Sequence, residues 1–416
     1  NGTYAQSLNC LWAKNAVGTG TSSEEGQGVA IDANGNVYSI GYFNGPSLTF
    51  GTTVLTNAGA TDLFLTKYDA LGNLLWAKKA GGSNSDYAAG IAIDAAGDIY
   101  ITGGFFSPTI TFGSTILTNA SNNGGSLDLF VAKYNPSGTV LWATSAGGAL
   151  NELGSHLTID TGGNVYISGY FYSTTFSFGT STLTNAGGQD ILLLKMDASG
   201  NKIWAKGAGG INDDFSYGIS SDATGNIFIT GTFRSNSLSF GSITLTKNFP
   251  AARCIAKCDA TGSVLWAKKA GTLYLEFGYG VATDAAGNVF ATGFFSSPTI
   301  TFGSFTLTNY STNNGDDIYL VKYDGAGTVL WAKSIGGASQ DMGYALATNA
   351  AGDVYLGGRF QSPSIVVGND TLLNFGSTDI LIAKYDAAGN FLAANQAGGT
   401  DQEDCFSIVS GIDGSI

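Results

Sequence analysis

At 416 residues the chain exceeds the usual size of one compact core, and its ordinary apolar fraction of 44% excludes a disordered chain. Glycine is abundant at 61 residues, charged residues make up only 12%, and no long stretch has helical periodicity, so short strands joined by tight turns are predicted. The net charge of −13 disfavours nucleic acids and anionic lipids as partners, because both require a basic surface. No run of about 18 apolar residues occurs, so no transmembrane segment is predicted.

The first residues resemble the end of a secretory signal peptide. Small residues flank a cleavage point near Ala5, within the stretch from Thr3 to Ser7. We interpret residues 1–5 as a signal-peptide remnant and expect an exported protein; alternatively, residues 1–9 form an edge strand. The four cysteines are too few for a disulfide framework, and they are Cys10, Cys254, Cys258 and Cys405.

One pattern of strands and turns recurs along the chain, and residues 86–146 show it most completely. Its predicted elements, in chain order, are a first strand at 90–93, a turn at 94–97, a second strand at 98–105, a hairpin of strands 109–112 and 115–118, a third strand at 128–134, a turn at 135–138, and a fourth strand carrying Trp142. Glycine closes both turns, where a positive φ is required.

The fourth strand marks the repeat, because all six tryptophans of the chain occupy it. Successive markers lie 61 to 66 residues apart, and they are Trp12, Trp76, Trp142, Trp204, Trp266, Trp331 and Leu392. Six repeats are whole and a seventh is divided between the two ends, with approximate bounds of 24–80, 86–146, 152–208, 214–270, 276–335, 341–396, and 403–416 together with 6–16. The prediction is one domain spanning residues 1–416.

Four antiparallel strands per repeat predict an all-β, seven-bladed β-propeller with an extra hairpin in each blade. Pairing of the N-terminal and C-terminal strands in the divided seventh blade would close the ring and remove two exposed sheet edges. An open solenoid is the alternative, although solenoid repeats are shorter and need polar end caps.

The repeats resemble the SBBP family, the seven-bladed β-propeller repeat of secreted bacterial proteins. Residues 28–41, 90–103, 218–231 and 280–293 match its G-I-A-I-D-x-x-G-N-V-Y-I-T-G half, and residues 62–78 and 317–333 match D-L-F-x-x-K-Y-D-x-x-G-x-x-L-W-A-K. The added Thr-Phe-Gly hairpin resembles that of surface proteins from Bacteroidetes-type bacteria. The resemblance implies an extracellular, repetitive and usually non-catalytic protein.

The tryptophans are interpreted as structural wedges between neighbouring blades, because apolar residues flank each one; the alternative is a platform for stacking sugars. This structural set is Trp12, Trp76, Trp142, Trp204, Trp266 and Trp331. The Asp residues of the D-x-x-G turns are interpreted as caps of the turn's own backbone N–H groups.

A carboxylate also stands eight residues before every first turn, at Glu24, Asp86, Glu152, Asp214, Glu276, Asp341 and Glu403. As a ring around one mouth of a channel, this set could hold Ca²⁺ or another hard cation, which prefers carboxylate oxygens. We favour the alternative that each carboxylate accepts hydrogen bonds from backbone N–H groups. No other cofactor is predicted.

A further Asp precedes the third strand at Asp62, Asp128, Asp190, Asp317 and Asp379. The fourth repeat breaks this series with Ala252 and Arg253, after the loop from Lys247 to Pro250, and an individual binding site could lie there.

Both D-x-x-G turns fall on one face of the predicted ring, and the acidic loops and hairpins fall on the other. Longer polar loops offer more room for a specific site, so a partner is expected on the hairpin-bearing face.

Catalytic signatures are missing from the sequence. The single histidine, His156, replaces a glycine of other repeats, and no nucleophile elbow, metal-binding His cluster or phosphate loop is present. We therefore predict a non-catalytic extracellular or cell-surface propeller for binding, adhesion or scaffolding. Its expected partner is a protein or a glycan, and self-association is an alternative. The alternatives are a glycan-active hydrolase or lyase that uses the acidic channel mouth, and a subunit of an extracellular filament.

Overall fold

A computed structural model describes residues 10–20, 23–121, 125–271, 274–312 and 315–416. All regular secondary structure in these ranges is β-strand. Residues 10–209 form one compact unit, and residues 210–416 belong to a second. No helix that is long and apolar enough to cross a membrane occurs in the described part of the chain. The predicted signal remnant at residues 1–5, and residues 6–9 of the divided repeat, lie outside the described residues.

The first unit contains one short strand and the first three repeats. Its strands are β1 Val17–Gly18, β2 Glu24–Ile31, β3 Val37–Phe43, β4 Ser47–Phe50, β5 Thr53–Thr56, β6 Asp62–Tyr68, β7 Leu74–Ala80, β8 Asp86–Ile93, β9 Ile99–Phe105, β10 Thr109–Phe112, β11 Thr115–Thr118, β12 Asp128–Tyr134, β13 Val140–Ala146, β14 Glu152–Ile159, β15 Val165–Phe171, β16 Thr175–Phe178, β17 Ser181–Thr184, β18 Asp190–Met196 and β19 Lys202–Gly209.

The second unit contains the fourth, fifth and sixth repeats. Its strands are β20 Asp214–Ser221, β21 Ile227–Phe233, β22 Ser237–Phe240, β23 Ile243–Thr246, β24 Ala252–Cys258, β25 Val264–Ala270, β26 Glu276–Thr283, β27 Val289–Phe295, β28 Thr299–Phe302, β29 Phe305–Thr308, β30 Asp317–Tyr323, β31 Val329–Ile335, β32 Asp341–Thr348, β33 Val354–Phe360, β34 Ser364–Val367, β35 Asp370–Leu373, β36 Asp379–Tyr385 and β37 Phe391–Ala397.

Each repeat builds one antiparallel sheet from its first, second, third and fourth strands, as in the order β8–β9–β12–β13. The register recurs as well, since Gly103 of β9 faces Phe130 of β12 just as Gly41 of β3 faces Phe64 of β6. The repeated all-β architecture predicted from the sequence is therefore confirmed. The first strands begin earlier than predicted, at the carboxylate, so that β8 starts at Asp86 instead of residue 90.

The apolar core lies between successive sheets within each unit. Second and third strands such as β9 and β12 are buried along their whole length. One cluster joins Ile40 and Leu65 of the first repeat to Ile101, Phe105 and Phe130 of the second. Because each sheet buries a face against the next, the stack forms a continuous core from short repeats.

The inserted hairpins lie along the preceding repeat instead of standing free on one face. Ile110 and Phe112 of β10 are fully buried, and Thr111 forms a β-bridge with Gly81 at the end of β7. Val17 pairs in the same way with Thr49 of β4. The hairpin therefore covers a strand edge that would otherwise be open to edge-to-edge association.

The predicted strands of the divided seventh repeat do not form among the described residues, because residues 10–16 and 403–416 have no ladder partner that would make them strands. The C-terminal segment nevertheless follows the path of a first strand. Ser410 Oγ donates to the carbonyl of Thr348 at 2.6 Å, just as Thr348 Oγ1 donates to Thr283 O at 2.7 Å. Gly411 N also donates to Ser415 O, which closes the same kind of turn as in the whole repeats.

Candidate functional site

The acidic series caps backbone N–H groups. In Asp86, Oδ2 accepts hydrogen bonds from Gly82 N at 2.7 Å and from Ser107 Oγ at 2.8 Å, and Oδ1 accepts one from Ser107 N at 3.1 Å. Asp341 repeats the arrangement with Gly337 and Ser362. The fully buried members of the series are Asp86, Glu152, Asp214, Glu276 and Asp341. Their oxygens are directed at the protein's own backbone and not at solvent.

The structure does not assemble these carboxylates into a metal centre within the described ranges. No group of three or more His, Cys, Asp or Glu side chains stands close enough together there to hold an ion. At the edge of the series, Glu403 accepts a hydrogen bond from Gly399 N at 3.0 Å, and Glu24 lies against Gly18.

The Asp residues that precede the third strands form a second buried acidic series. Asp128 Oδ2 accepts a hydrogen bond from Ala120 N at 2.6 Å, and Asp317 Oδ2 accepts one from Tyr310 N at 2.6 Å. Their Oδ1 atoms have no hydrogen-bond partner among the described residues. Burial raises the pKa of Asp128 to about 6, and burial together with the nearby charge of Asp341 raises the pKa of Asp317 to about 7.

The tryptophans connect successive repeats on the D-x-x-G face. Each indole N–H in the following list donates to a carbonyl in the next repeat's second turn, at 3.2 to 3.3 Å: Trp12 to Ala70, Trp76 to Pro136, Trp142 to Ala198, Trp266 to Gly325 and Trp331 to Ala387. In the sixth repeat, the Ala387 carbonyl also accepts a hydrogen bond from Lys322 Nζ at 2.9 Å. The indoles are partly buried against the apolar clusters, so these rings pack between repeats.

The polar side chains of the D-x-x-G turns form hydrogen bonds and ion pairs within this face. Asp94 Oδ1 accepts hydrogen bonds from Ala96 N and Asp98 N, and Lys133 Nζ lies 3.4 Å from Asp94 Oδ2. The same Lys133 stacks over the ring of Tyr100 at 4.7 Å. These turns are therefore closed by their own side chains.

The irregular fourth repeat uses basic side chains where the other repeats use neutral ones. Lys247 Nζ donates to the carbonyls of Arg234, Phe249 and Pro250 at 2.9, 2.7 and 3.1 Å. In the second repeat the amide of Asn119 fills this position and donates to Phe105 O and Ser126 O.

Arg253 was predicted to mark an individual binding site, but the side chain is 0% exposed. Its guanidinium lies 4.7 Å from the ring centre of Phe302 and donates to the Tyr323 hydroxyl at 3.1 Å. Arg253 therefore fixes the packing of the fourth repeat against the fifth and does not reach a ligand.

His156 lies in β14, opposite Ser168 of the second strand. Burial lowers the pKa of His156 to about 4, so its imidazole is neutral at pH 7. Its Nδ1 atom is buried and has no hydrogen-bond partner in the described part of the chain. No hydrogen bond joins His156 to the opposite Ser168 hydroxyl among the described residues, so the structure does not show the contact that a base makes with its nucleophile.

A row of partly exposed aromatic rings on the first strands of the second unit and on its C-terminal segment was not anticipated from the sequence. We call it the aromatic row, and its members are Phe215, Tyr217, Phe277, Tyr279, Tyr344 and Phe406. Each of the five rings on strands stands one or three residues after a buried carboxylate, so strand alternation places it on the opposite side from that carboxylate. Ring centres are 4.9 Å apart for Tyr217 and Tyr279, 5.3 Å for Tyr279 and Tyr344, and 5.5 Å for Tyr344 and Phe406.

Charged groups flank this row at both ends. Arg359 Nη1 forms an ion pair with Asp404 Oδ1 at 3.0 Å, and its guanidinium lies 5.8 Å from the ring centre of Tyr344. At the other end, the guanidinium of Arg234 lies 5.1 Å from the ring centre of Phe215. Between them, Asp316 accepts a hydrogen bond from Ser296 Oγ.

Burial raises the pKa of Tyr217, Tyr279 and Tyr344 above the ordinary value, so their hydroxyls stay protonated at neutral pH and can donate hydrogen bonds. The hydroxyl of Tyr344 donates to the sulfur of Met342 at 3.3 Å. Rings, hydroxyls, a guanidinium and carboxylates thus share one surface, which can bind a ligand by stacking and by hydrogen bonds.

A signal for the aromatic row was present in the sequence. An aromatic residue directly precedes the small residue of the first-strand motif at Tyr217, Tyr279, Tyr344 and Phe406, whereas the first three repeats have Gln27, Ala89 and Ser155 there. The aromatic row is therefore confined to the second unit.

Comparison with known proteins gives distant similarity only. Over 436 aligned residues the chain is 25% identical to the uncharacterized WD repeat-containing protein L264 of Acanthamoeba polyphaga mimivirus; the alignment covers 86% of this chain and 31% of that protein. The chain thus spans less than a third of the length of this curated relative. No family model matches the chain.

Two solved structures are similar to the chain at low sequence identity. The Pseudomonas brassicacearum lignostilbene dioxygenase matches with a TM-score of 0.45 and 11% identity, covering 91% of this chain and 73% of that one. The Neurospora crassa Pan2 WD40 domain matches with a TM-score of 0.39 and 8% identity, covering 80% of this chain and 86% of that one.

Proposed function

We propose that the chain is a non-catalytic β-propeller that binds a glycan on the aromatic row. The partly exposed aromatic rings that stand in one continuous row are the observation that carries this proposal. Resemblance of the repeats to the SBBP family supports an exported bacterial protein acting in binding or adhesion at the cell surface. The buried and hydrogen-bonded acidic series gives no support to the alternative of glycan cleavage at an acidic channel mouth.

A sugar ring matches this surface chemically. One face of a pyranose carries mainly C–H groups, which can stack on aromatic rings such as Tyr279 and Tyr344, and its hydroxyls need donors and acceptors nearby. The tyrosine hydroxyls, Asp316 and the pair of Arg359 and Asp404 supply both. The net charge of −13 disfavours nucleic acid, the other class of polymer that stacks on aromatic side chains.

Affinity for a glycan should depend on the row and not on exposed tyrosines elsewhere. In binding measured by calorimetry to an oligosaccharide identified on a glycan array, we expect Tyr279→Ala and Tyr344→Ala each to weaken binding by about fivefold or more, because each removes a stacking surface worth about 1 kcal/mol or more. Tyr310→Ala, at an exposed loop position, is the matched control and should bind like the unmodified protein. Circular dichroism checks that each variant is folded.

Absence of any glycan binding, or equal affinity in all three variants, would contradict the proposal. Release of new reducing ends from the bound oligosaccharide would instead show that the protein is an enzyme.

We further propose that the propeller has seven blades and closes through the divided repeat. Support comes from each end separately: Trp12 contacts the first repeat as the later tryptophans contact theirs, and Ser410 contacts the sixth repeat as a first strand does. Closure predicts that Cys10 and Cys405 lie in one blade. A bismaleimide that spans roughly 15 Å, about three strand spacings, should then join these two thiols within one molecule.

The crosslinking measurement uses mass spectrometry of peptides from a Cys254→Ser/Cys258→Ser background, in which Cys10 and Cys405 are the remaining thiols. A monofunctional maleimide is the control for reactivity. Labelling of both thiols without any intramolecular crosslink would count against closure.

A further inference from the structure

The fourth repeat concentrates positive charge beside one end of the aromatic row, in a protein that is otherwise acidic. Lys247 stands where Asn119 stands in the second repeat, and Arg253 follows Ala252, which replaces the Asp of the third-strand series. Both side chains are buried, so their charges are fixed in place and poorly screened by solvent. The surface of this repeat is therefore more favourable to an anion than that of the other repeats.

Arg234 is the exposed member of this basic group. Its guanidinium lies over the Phe215 ring, 5.1 Å from the ring centre, and its positive charge acts to lower the pKa of the neighbouring Tyr217 hydroxyl. A guanidinium stacked by its face keeps its N–H groups free at the edge. No salt bridge is made by Arg234 within the described residues.

Arg359 provides the contrast at the other end of the row. Its Nη1 is paired with Asp404 at 3.0 Å, and its Nη2 donates to the sulfur of Met342 at 3.5 Å. The charge of Arg359 is thus neutralised within the protein, whereas that of Arg234 is available to a ligand. The two ends of the row consequently differ in chemistry: one suits a hydroxyl-bearing sugar, and the other suits an anionic group.

Building on the proposed glycan function, we propose that Arg234 binds the carboxylate of an acidic sugar whose neighbouring units lie on the aromatic row. A planar carboxylate accepts two parallel N–H···O bonds from a guanidinium, which a neutral hydroxymethyl group cannot reproduce. The net charge of −13 repels ligands with an acid group on every sugar. The ligand class is accordingly a glycan with an isolated uronic acid in a neutral chain.

The test compares two probes by calorimetry: a xylo-oligosaccharide that carries one glucuronic acid, and the same compound as its methyl ester. We expect the unmodified protein to bind the acid at least about tenfold more tightly than the ester, because a charge-assisted bidentate pair contributes about 1.5–3 kcal/mol. Arg234→Gln should abolish this preference by lowering the affinity for the acid to that for the ester. The control Lys206→Gln removes the same charge from an exposed position of β19 and should keep the preference.

The possible outcomes separate the two proposals. Equal binding of acid and ester by the unmodified protein, or an undiminished preference in Arg234→Gln, overturns the role of Arg234 and leaves the glycan function intact. If neither compound binds and no neutral glycan binds, both proposals are overturned. Loss of ester binding in Arg234→Gln would show that Arg234 holds the row in place and does not read the carboxylate.

Discussion

Replacing Trp331 by alanine is expected to lower the free energy of unfolding by about 3–5 kcal/mol, the usual cost of removing a large buried aromatic side chain. Trp331 is 8% exposed, packs edge-on against Phe290 at 5.8 Å, and donates its indole N–H to Ala387 O. Its ring also packs on Gly389, where an added Cβ would lie 2.9 Å from the indole. Because Gly389 has no side chain, it cannot fill the cavity that the substitution leaves. Urea denaturation followed by circular dichroism measures the change.

The neighbouring Leu330 is a matched control for this substitution. It precedes Trp331 on the same strand and is 45% exposed, so Leu330→Ala should cost less than about 1 kcal/mol. A similar loss for both variants would show that the indole does not act as a wedge. Reduced glycan affinity in Trp331→Ala with unchanged stability would revive the alternative of a sugar platform.

Stability is expected to be higher near pH 5 than near pH 8, by several kcal/mol in total. Burial raises the pKa of Asp86, Asp128 and Asp341 to about 6, and that of Asp317 to about 7. The folded protein therefore binds more protons than the unfolded chain between about pH 4 and pH 7, and stability falls as the pH rises through the folded pKa values. For each carboxyl group, a folded-state pKa that lies about two above the unfolded-state pKa corresponds to about 3 kcal/mol of stability.

Other carboxylates set the acidic limit of this optimum. The pKa of Asp32 and that of Asp284 are lowered. Burial by itself would raise them, but hydrogen bonds from Asn36 to Asp32 and from Asn288 to Asp284 outweigh the effect of burial. Their contribution is present above about pH 4 and is lost as the pH falls through their lowered values. Thermal unfolding measured from pH 3 to pH 9 should therefore show a maximum between about pH 4 and pH 6.

The Asp317→Asn substitution tests whether the buried carboxylates cause the predicted loss of stability as the pH rises. The amide oxygen can still accept the hydrogen bond from Tyr310 N, but the charge beside Asp341 is gone. This variant should be more stable than the unmodified protein at pH 8 and about equal to it at pH 4.5. Asp401→Asn, at an exposed position, should leave the pH profile unchanged. A flat profile in the unmodified protein would rule out the buried carboxylates as its main source.

Much of the fold could be read from the sequence because it depends on local patterns. The predicted third strand at 128–134 matches β12, and the predicted hairpin at 109–118 matches β10 and β11. Both follow from turn residues that close a loop through their own side chains, as the D-x-x-G turn from Asp94 to Gly97 does. Such signals require no knowledge of distant parts of the chain.

The candidate site could not be predicted, because it depends on which side of each first strand is buried. The sequence favoured capping of backbone N–H groups by acidic residues such as Asp86 over a cation-binding ring, and the structure shows this capping. The sequence did not reveal that the residues which alternate with Asp86 are the more exposed ones. In the fourth repeat, the sequence predicted a binding site at Arg253, but this side chain packs against Phe302. No sequence pattern distinguished Arg234, which is exposed. Side-chain direction within a strand is a tertiary property, and spacing alone does not reveal it.

The hairpins and the tryptophans connect neighbouring repeats in opposite directions. A hairpin covers the last strand of the repeat before it, and an indole binds the turn of the repeat after it. Proteolytic cleavage between two repeats would thus leave one side with a bare strand edge and the other with an unsupported turn. Gain or loss of repeats during evolution would have to proceed by whole units, since a fragment that lacks either connection would lose its neighbour on that side.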